Sequence, residues 1–117
     1  MPTRCNIIVK SGISGRNILY RHCDGYPDSG TGDDLKIVLE KYSKNVEEYD
    51  YESLTKQILE SYDDIHEDDK VARDISYLYE ITLFNHTIFY TCYKVPVIGD
   101  DDIDNIFNNW AQEENKT

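Results

Sequence analysis

Four stretches of the chain alternate between apolar and polar positions, the pattern typical of β-strands. Residues 4–10 ("RCNIIVK") alternate except at Ile8, which indicates that the outer face of this strand is partly covered. Residues 16–22 ("RNILYRH") follow a turn that contains two glycines, "SGISG". These two segments therefore predict a β-hairpin near the start of the chain.

Residues 75–84 ("ISYLYEITLF") and 87–94 ("TIFYTCYK") are the strongest strand signals. Asn85 and His86 lie between them, and a two-residue turn that begins with Asn favours type I′, because Asn tolerates a positive φ. The sequence therefore predicts a second hairpin with an apolar face. Its predicted cross-strand pairs are Leu83 with Ile88, Ile81 with Tyr90, and Tyr79 with Cys92.

Apolar residues spaced three and four apart predict three helices. Thr31 or Asp33 is the expected N-cap of the first, and Asp50 that of the second, which spans about 51–62. The segment 63–70 ("DDIHEDDK") is predicted to be a solvated loop, because it is almost entirely polar. The three apolar stripes are Leu35, Val38, Leu39 and Tyr42; Leu54, Ile58 and Tyr62; and Ile103, Ile106, Phe107 and Trp110.

The order of these segments predicts one α+β domain over residues 1–117, with a polar tail from about residue 113. The expected order is β-β-α-α-β-β-α. Two hairpins that form a four-stranded antiparallel sheet, with helices packed on one face, are the simplest arrangement that buries every apolar stripe.

The charge balance restricts the classes of partner. Twenty-three acidic residues face twelve Lys and Arg residues, for a net charge of −11. Such a field repels phosphate backbones, so direct binding of nucleic acid is not expected. The acids serve either as a general solubility charge or as a decoy that occupies a basic groove on another protein.

The cysteine pattern and the hydropathy both indicate a cytoplasmic protein. The three cysteines, Cys5, Cys23 and Cys92, are odd in number and include no CxxC pair. The chain has no apolar segment at its N-terminus and no apolar run long enough to cross a bilayer. We therefore expect free thiols, a reducing compartment and no membrane partner.

The segment "YRHCDGYP" at 20–27 concentrates reactive side chains, and catalysis is the first interpretation to test. Cys23 beside His22 suggests a thiol nucleophile, but neighbouring side chains of a strand point to opposite faces. His22 and Asp24 share a face and could hold a metal with His66 or Asp63, yet no spacing here is typical of zinc. No catalytic residue, metal or cofactor is therefore predicted.

A polar recognition site is the remaining functional interpretation of this segment. A guanidinium, an imidazole and phenols beside a rigid Gly-Tyr-Pro bend can bind a ligand or a partner by stacking and hydrogen bonds. The structural alternative is that the same residues fix the turn from hairpin to helix. The candidate residues are Tyr20, Arg21, His22, Asp24 and Tyr26.

The segments "TRCNIIVK" at 3–10 and "ILYRHCDGYPDSGTGDDL" at 18–35 resemble a group of small proteins from bacteriophages, prophages and bacteria. Proteins of that group begin with a Thr-Arg-x-Asn-Ile strand and carry a Tyr-Arg-His-x-Asp-Gly-Tyr-Pro signature. The position of Cys23 varies in the group, which argues further against a thiol nucleophile. The resemblance implies an accessory protein of a virus or mobile element.

The first functional hypothesis is a non-catalytic, phage-type protein that inhibits a host factor, such as an immune or nucleic-acid-handling enzyme. Its acidic surface would enter a basic groove by imitating nucleic acid, with Tyr49, Tyr51 and Tyr62 as anchors. The acidic surface is predicted to comprise Glu47, Glu48, Asp50, Glu52, Asp63 and Asp64.

Two other hypotheses remain open. The "YRHCDGYP" segment could bind or sequester a nucleotide-like small ligand through Arg21 and the tyrosines. Alternatively, the protein could be an oligomeric accessory protein in which Leu78, Phe89 and Tyr93 form the contact between subunits.

Overall fold

A computed structural model of the protein describes residues 3–12, 15–47, 49–72 and 74–95, which form five strands and two helices. The third predicted helix and the polar tail lie outside these residues. The strands are β1 (Cys5–Ser11), β2 (Gly15–Arg21), β3 (Ile65–Asp68), β4 (Tyr77–Phe84) and β5 (Thr87–Lys94), and the helices are α1 (Thr31–Asn45) and α2 (Tyr51–Ser61).

The strands form one mixed sheet with the order β3-β2-β1-β4-β5. Both predicted hairpins are present, but β1 and β4 pair in parallel, with Cys5 opposite Tyr77 and Ser11 opposite Leu83. The fold is therefore α+β as predicted, whereas the expected four-stranded antiparallel sheet is wrong. β3 runs in the same direction as β1, and the connection after it returns the chain to the start of β1, so β4 runs parallel to β1.

The segment "IHED" at 65–68 is the fifth strand, not the solvated loop that its polarity predicts. It pairs antiparallel with β2, with Leu19 opposite Glu67 and Arg21 opposite Ile65. Ile65 packs in the core and is 4% exposed, while the next three side chains are exposed. One buried side chain and the ladder to β2 are enough to hold an edge strand whose other side chains face water.

The main core lies between the helices and one face of the sheet. The helices contribute the predicted stripes, and four of the strands contribute the side chains that face them. The members from the sheet are Cys5, Ile7 and Val9 of β1, Leu19 of β2, Ile65 of β3, and Tyr79, Ile81 and Leu83 of β4. Tyr42 ends the α1 stripe, and its phenol accepts a hydrogen bond from the Asp50 backbone N–H at 3.0 Å. The same phenol lies 2.6 Å from Ser53 Oγ and so fixes the connection between the two helices.

The two helix caps differ from each other. Asp50 caps α2 as predicted and accepts a hydrogen bond from the Ser53 N–H. Gly30 occupies the N-cap position of α1 without a side-chain cap, so the prediction of Thr31 or Asp33 is wrong. Thr31 instead donates its hydroxyl to the carbonyl of Asp24 at 2.7 Å, since the preceding loop folds back over the start of the helix.

The β4–β5 hairpin has the predicted turn and the predicted register. Asn85 and His86 both have positive φ, 50° and 60°, as a type I′ turn requires. The apolar pairs Leu83 with Ile88, Ile81 with Tyr90 and Tyr79 with Cys92 are all present.

We call the sheet face opposite α1 and α2 the open face. The connection from β3 to β4 covers part of it. Ile75 of this connection packs with Ile8 and Leu78 in a second apolar cluster. Asn6 is fully buried beneath it; its amide donates to the carbonyl of Leu19 and accepts from the N–H of Ala72. The covered outer face that Ile8 indicates is thus confirmed.

A substitution at Gly32 tests how tightly the loop before α1 packs. A Cβ at Gly32 would lie 2.1 Å from the carbonyl oxygen of Pro27, so Gly32→Ala must displace the loop backbone. We expect a loss of about 3 kcal/mol in the free energy of unfolding, measured by urea denaturation.

Gly12→Ala is the matched control. A Cβ at Gly12 meets only the side chain of Phe84, at 2.9 Å, and that ring is 47% exposed and can turn away. The free energy of unfolding should fall by less than about 1 kcal/mol. Equal losses for the two variants would show that the loop does not constrain α1.

Candidate functional site

The end of β2 divides the predicted recognition residues between the two faces of the sheet. Arg21 points toward the helices, whereas Tyr20 points to the open face, as the alternation of a strand requires. The following bend, residues 22–30, carries the rest of the signature. The signature residues therefore lie in three places: on the helix side of the sheet, on the open face and in the bend.

Arg21 is a buried cation at the centre of a partly exposed ion-pair cluster. Its side chain donates from Nη1 to Asp34 at 2.7 Å and from Nε to Asp64 at 2.8 Å, and a further bond from Nη1 reaches the hydroxyl of Thr31. The guanidinium carbon also lies 5.1 Å from the ring centroid of Tyr62. We call Arg21, Thr31, Asp34, Tyr62 and Asp64 the Arg21 cluster.

The geometry of the Arg21 cluster gives a structural role to Arg21, which the sequence predicts to bind a ligand or a partner. The residue is 6% exposed, and its Nε and Nη1 groups donate to partners within the protein. Burial alone would lower the pKa of Arg21, but the hydrogen bonds to Asp64 and Asp34 raise it above its usual range. The cation is therefore a structural element that joins β2, α1 and the turn before β3.

Tyr20 and His22 belong to a separate cluster on the open face. The Tyr20 hydroxyl and the His22 Nδ1 are 3.0 Å apart, and the ring of Tyr20 lies 5.4 Å from that of His66. Arg4 donates from Nε to the same His22 Nδ1 at 3.3 Å and pairs with Asp74. Because a guanidinium can only donate, His22 Nδ1 is the acceptor in the contact with Arg4.

The bend contributes backbone carbonyls to the fold rather than side chains to a site. Asp24 has a φ of 60°, and its carbonyl accepts from the N–H of Thr31 at 2.7 Å. The carbonyl of Gly25 accepts from the buried phenol of Tyr79 at 2.6 Å. Tyr26 is the exception: its side chain is 51% exposed, and its ring lies 6.1 Å from that of Tyr77.

The five predicted recognition residues thus do not converge on one ligand. Arg21 lies on the helix side of the sheet, Tyr20 and His22 lie on the open face, and Asp24 and Tyr26 are exposed on the bend. Among the residues that the structure describes, no group of three or more His, Cys, Asp or Glu side chains could hold a metal ion. The structural interpretation of Arg21 and of the bend is the one that the geometry supports.

The three thiols are free and occupy different environments. Cys5 is fully buried, and burial raises the pKa of its thiol to about 11. Burial also raises the pKa of Cys92, which is half-buried. Cys23 is exposed on the bend.

The predicted acidic surface is divided into two groups by α2. Glu47, Asp50 and Glu52 lie at the start of this helix, and Asp63 and Asp64 follow its end. Eleven helical residues span about 16 Å, so the two groups are well separated. Glu48 lies outside the described residues.

Two of the predicted acids also have structural roles. Asp64 is neutralised within the Arg21 cluster, and Asp50 caps α2. The three tyrosines predicted as anchors, Tyr49, Tyr51 and Tyr62, are half-buried and pack against the main core.

Among the residues that the structure describes, a dense group of exposed carboxylates lies along β3 and its flanks. We call Asp63, Glu67, Asp68 and Asp69 the acidic edge. All four are exposed, and within the described ranges none of them forms a salt bridge. Sequence reasoning missed Glu67, Asp68 and Asp69 because it assigned them to a loop; the apolar Ile65 was the one signal of a strand.

A shallow groove of about 460 Å³ lies at the opposite side of the molecule, between α1 and β5. Its walls carry both aromatic and charged side chains, and the rings of Tyr49 and His86 meet edge to face with centroids 6.2 Å apart. The groove is lined by Lys36, Leu39, Glu40, Ser43, Tyr49, His86, Thr87, Ile88 and Tyr90.

Comparison of the chain with protein-family models, with curated proteins and with solved structures finds no match in any of the three. Neither helix in the described part of the chain is long and apolar enough to cross a membrane.

Replacement of Arg21 tests its structural role. Arg21→Met leaves Asp34 and Asp64 without their cation, and we expect the free energy of unfolding to fall by about 3 kcal/mol. Arg4→Met is the matched control, because the Arg4–Asp74 pair is largely exposed and should contribute less than about 1 kcal/mol. The loss at Arg21 should shrink when Asp34 and Asp64 are changed to Asn; an undiminished loss would contradict the coupling.

The raised pKa of Cys5 predicts an alkaline loss of stability. The unfolded thiol ionises near 9.0 whereas the folded thiol stays protonated up to about 11, so unfolding releases a proton between these values. The free energy of unfolding should therefore fall as the pH rises from 9 to 11, by about 3 kcal/mol from this group.

Cys5→Ala should remove that part of the pH dependence, and Cys23→Ala should leave it in place, as urea denaturation across this pH interval will measure. In the native protein a thiol reagent should modify Cys23 first and Cys5 only after unfolding. Rapid modification of Cys5 at neutral pH would contradict its burial.

Proposed function

We propose that the protein is a non-catalytic binding protein that presents the acidic edge to a basic, nucleic-acid-binding surface of another protein and thereby inhibits it. The observation that carries this proposal is the run of exposed carboxylates along an ordered edge strand and its flanks, none of which forms a salt bridge within the described residues.

The linear density of these carboxylates supports mimicry of a nucleic-acid strand. A β-strand rises about 3.3 Å per residue, and one strand of B-DNA carries a phosphate about every 3.4 Å along the helix axis. Glu67 and Asp68 are successive residues of β3 that point to opposite faces of the strand, and Asp69 follows the strand directly. A basic groove that wraps this edge therefore meets a density of negative charge similar to that of a phosphate backbone.

The acidic edge is held in place before any partner binds. Residues 65–68 pair with β2, and Ile65 is buried in the main core. The Arg21 cluster fixes Asp64 beside the first carboxylate of the edge. Because the backbone is already ordered, binding costs little conformational entropy beyond that of the exposed side chains.

The distribution of ion pairs distinguishes the acidic edge from the rest of the surface. Glu80 pairs with Lys10 at 3.1 Å, Asp74 pairs with Arg4, and Glu40 pairs with Lys44 at 3.0 Å. The carboxylates of the acidic edge lack such compensation within the described residues. Their field is therefore available to attract a cationic partner and to speed association.

The resemblance of residues 3–10 and 18–35 to small phage and prophage proteins makes a bacterial host the source of the proposed partner. An immune nuclease or another nucleic-acid-handling enzyme has the basic groove that this chemistry requires. The alternative, a nucleotide-like ligand bound by the "YRHCDGYP" segment, loses support because Arg21 is committed to Asp34 and Asp64.

Neutralising the acidic edge tests the proposal. The edge variant combines Asp63→Asn, Glu67→Gln, Asp68→Asn and Asp69→Asn, and the control variant combines Glu47→Gln and Glu52→Gln at the start of α2. Affinity for a fluorescent oligoarginine peptide should fall at least about tenfold in the edge variant and about twofold or less in the control. Binding by the unaltered protein should weaken as the salt concentration rises.

The same three proteins, immobilised and exposed to a bacterial lysate, test the inhibitory function. A host protein retained by the unaltered chain and by the control, but not by the edge variant, should lose its nucleic-acid binding when the unaltered chain is added. Equal retention by all three chains, or retention without inhibition, would contradict the proposal.

A further inference from the structure

The two edges of the sheet are protected to different degrees. β3 is four residues long and carries three consecutive exposed charged or ionisable side chains, which discourages pairing with another strand. β5 is eight residues long, and Lys94 is its one charged residue. Within the part of the chain that the structure describes, no strand pairs with the outer edge of β5.

The backbone of β5 presents a regular set of donors and acceptors at this outer edge. In a two-residue hairpin the pair that flanks the turn, here Phe84 and Thr87, exchanges both hydrogen bonds. Hydrogen-bonded pairs then recur at every second residue, so the odd-numbered residues of β5 bond to β4. The N–H and C=O groups of the even-numbered residues point outward; these are Ile88, Tyr90, Cys92 and Lys94.

The side chains of β5 are also suited to a contact. Phe89 is 53% exposed on the open face, and Thr87 and Thr91 beside it are exposed and uncharged. On the helix side, Ile88 and Tyr90 line the groove beside α1. Aromatic and β-branched residues at alternate positions favour cross-strand packing.

We infer that β5 is a dimerisation edge, at which the β5 strands of two copies of this chain pair antiparallel about a two-fold axis at Thr91. The pairing joins two five-stranded sheets into one continuous sheet. A two-fold contact is self-complementary, as an antiparallel pair of identical strands requires.

The axis position follows from the outward-facing backbone groups. An axis at Thr91 places Ile88 opposite Lys94 and Tyr90 opposite Cys92 of the other copy, so all four outward residues are paired. An axis at Tyr90 would leave Lys94 opposite the hairpin turn. With the axis at Thr91, each Phe89 lies two residues from the axis and gains a neighbour from the other strand.

The distribution of charge favours β5 over β3 as the edge at which two copies meet. Each chain carries a net charge of −11, so two copies repel, and the repulsion is least where the local charge is not negative. Added salt screens this repulsion and should strengthen the dimer. Added salt should instead weaken the binding of a cationic partner to the acidic edge. Failure of either proposal can therefore be recognised separately.

Sedimentation equilibrium of the full chain, across protein concentration and salt, tests the inference. A single strand pair is a small contact, so we expect a dimer that dissociates on dilution and strengthens with salt. Thr91→Lys places two like charges at the axis and should raise the dimer dissociation constant at least about tenfold. The new Lys faces Glu80 within its own sheet, so the monomer should stay folded.

Ser61→Lys is the matched control, because it adds the same charge on the exposed end of α2 and should leave the dissociation constant unchanged within about twofold. Thr91→Cys, in a background with Cys23→Ser and Cys92→Ser, tests the register. The two residues at position 91 face each other across the axis and share no hydrogen bonds. The Cα atoms of such a pair are about 4.5 Å apart, within the range of a disulfide.

Oxidised Thr91→Cys should run as a covalent dimer, whereas Thr87→Cys in the same background should not. A chain that remains monomeric at high concentration and high salt overturns the inference. So does a dimer that Thr91→Lys fails to weaken, or one in which Thr91→Cys fails to cross-link.

Discussion

The contact between Arg21 and two carboxylates joins Asp34 of α1, which no backbone ladder connects to the sheet, to the place where Asp64 leads into β3. The planar guanidinium donates in two directions at once, and this geometry is available to Arg but not to Lys. A charge this deeply buried has to be compensated, so α1 and the turn are held at a fixed distance from β2. The edge strand then begins directly beside this contact. One buried cation therefore helps to hold both the start of the acidic edge and the end of the bend at 22–30, where it reaches Thr31.

The sheet organises the rest of the molecule around β1, whose two faces are both covered. The helices pack on Ile7 and Val9, while the β3–β4 connection packs on Ile8 and is fastened by Asn6. This central position leaves two edges with contrasting chemistry. The proposed partner contact and the proposed self-contact lie at opposite ends of the strand order, so one can be occupied without blocking the other.

Local patterns predict most of the elements. The spacing of Leu35, Val38, Leu39 and Tyr42 identifies α1, and the Asn85-His86 turn gives the register of the second hairpin, since both depend on residues close together in sequence. β3 has no such signal: "IHED" contains one apolar residue, and it becomes a strand because β2 offers it a free edge. The parallel pairing of β1 with β4 is likewise a long-range outcome. For the site, alternation along β2 separates Arg21 from Tyr20 and His22, but the partners Asp34 and Asp64 lie 13 and 43 residues away and no local pattern indicates them.

The parallel pairing also has a consequence for synthesis on the ribosome. Residue 5 meets residue 77, so the first hairpin is complete long before the strand that will lie beside β1 has been made. In that interval one side of β1 has neither its neighbour nor the connection that covers Ile8. Nascent chains in this state are the ones most prone to associate wrongly. The surplus of carboxylates in the middle of the chain, which emerges next, adds repulsion between such chains until β4 arrives.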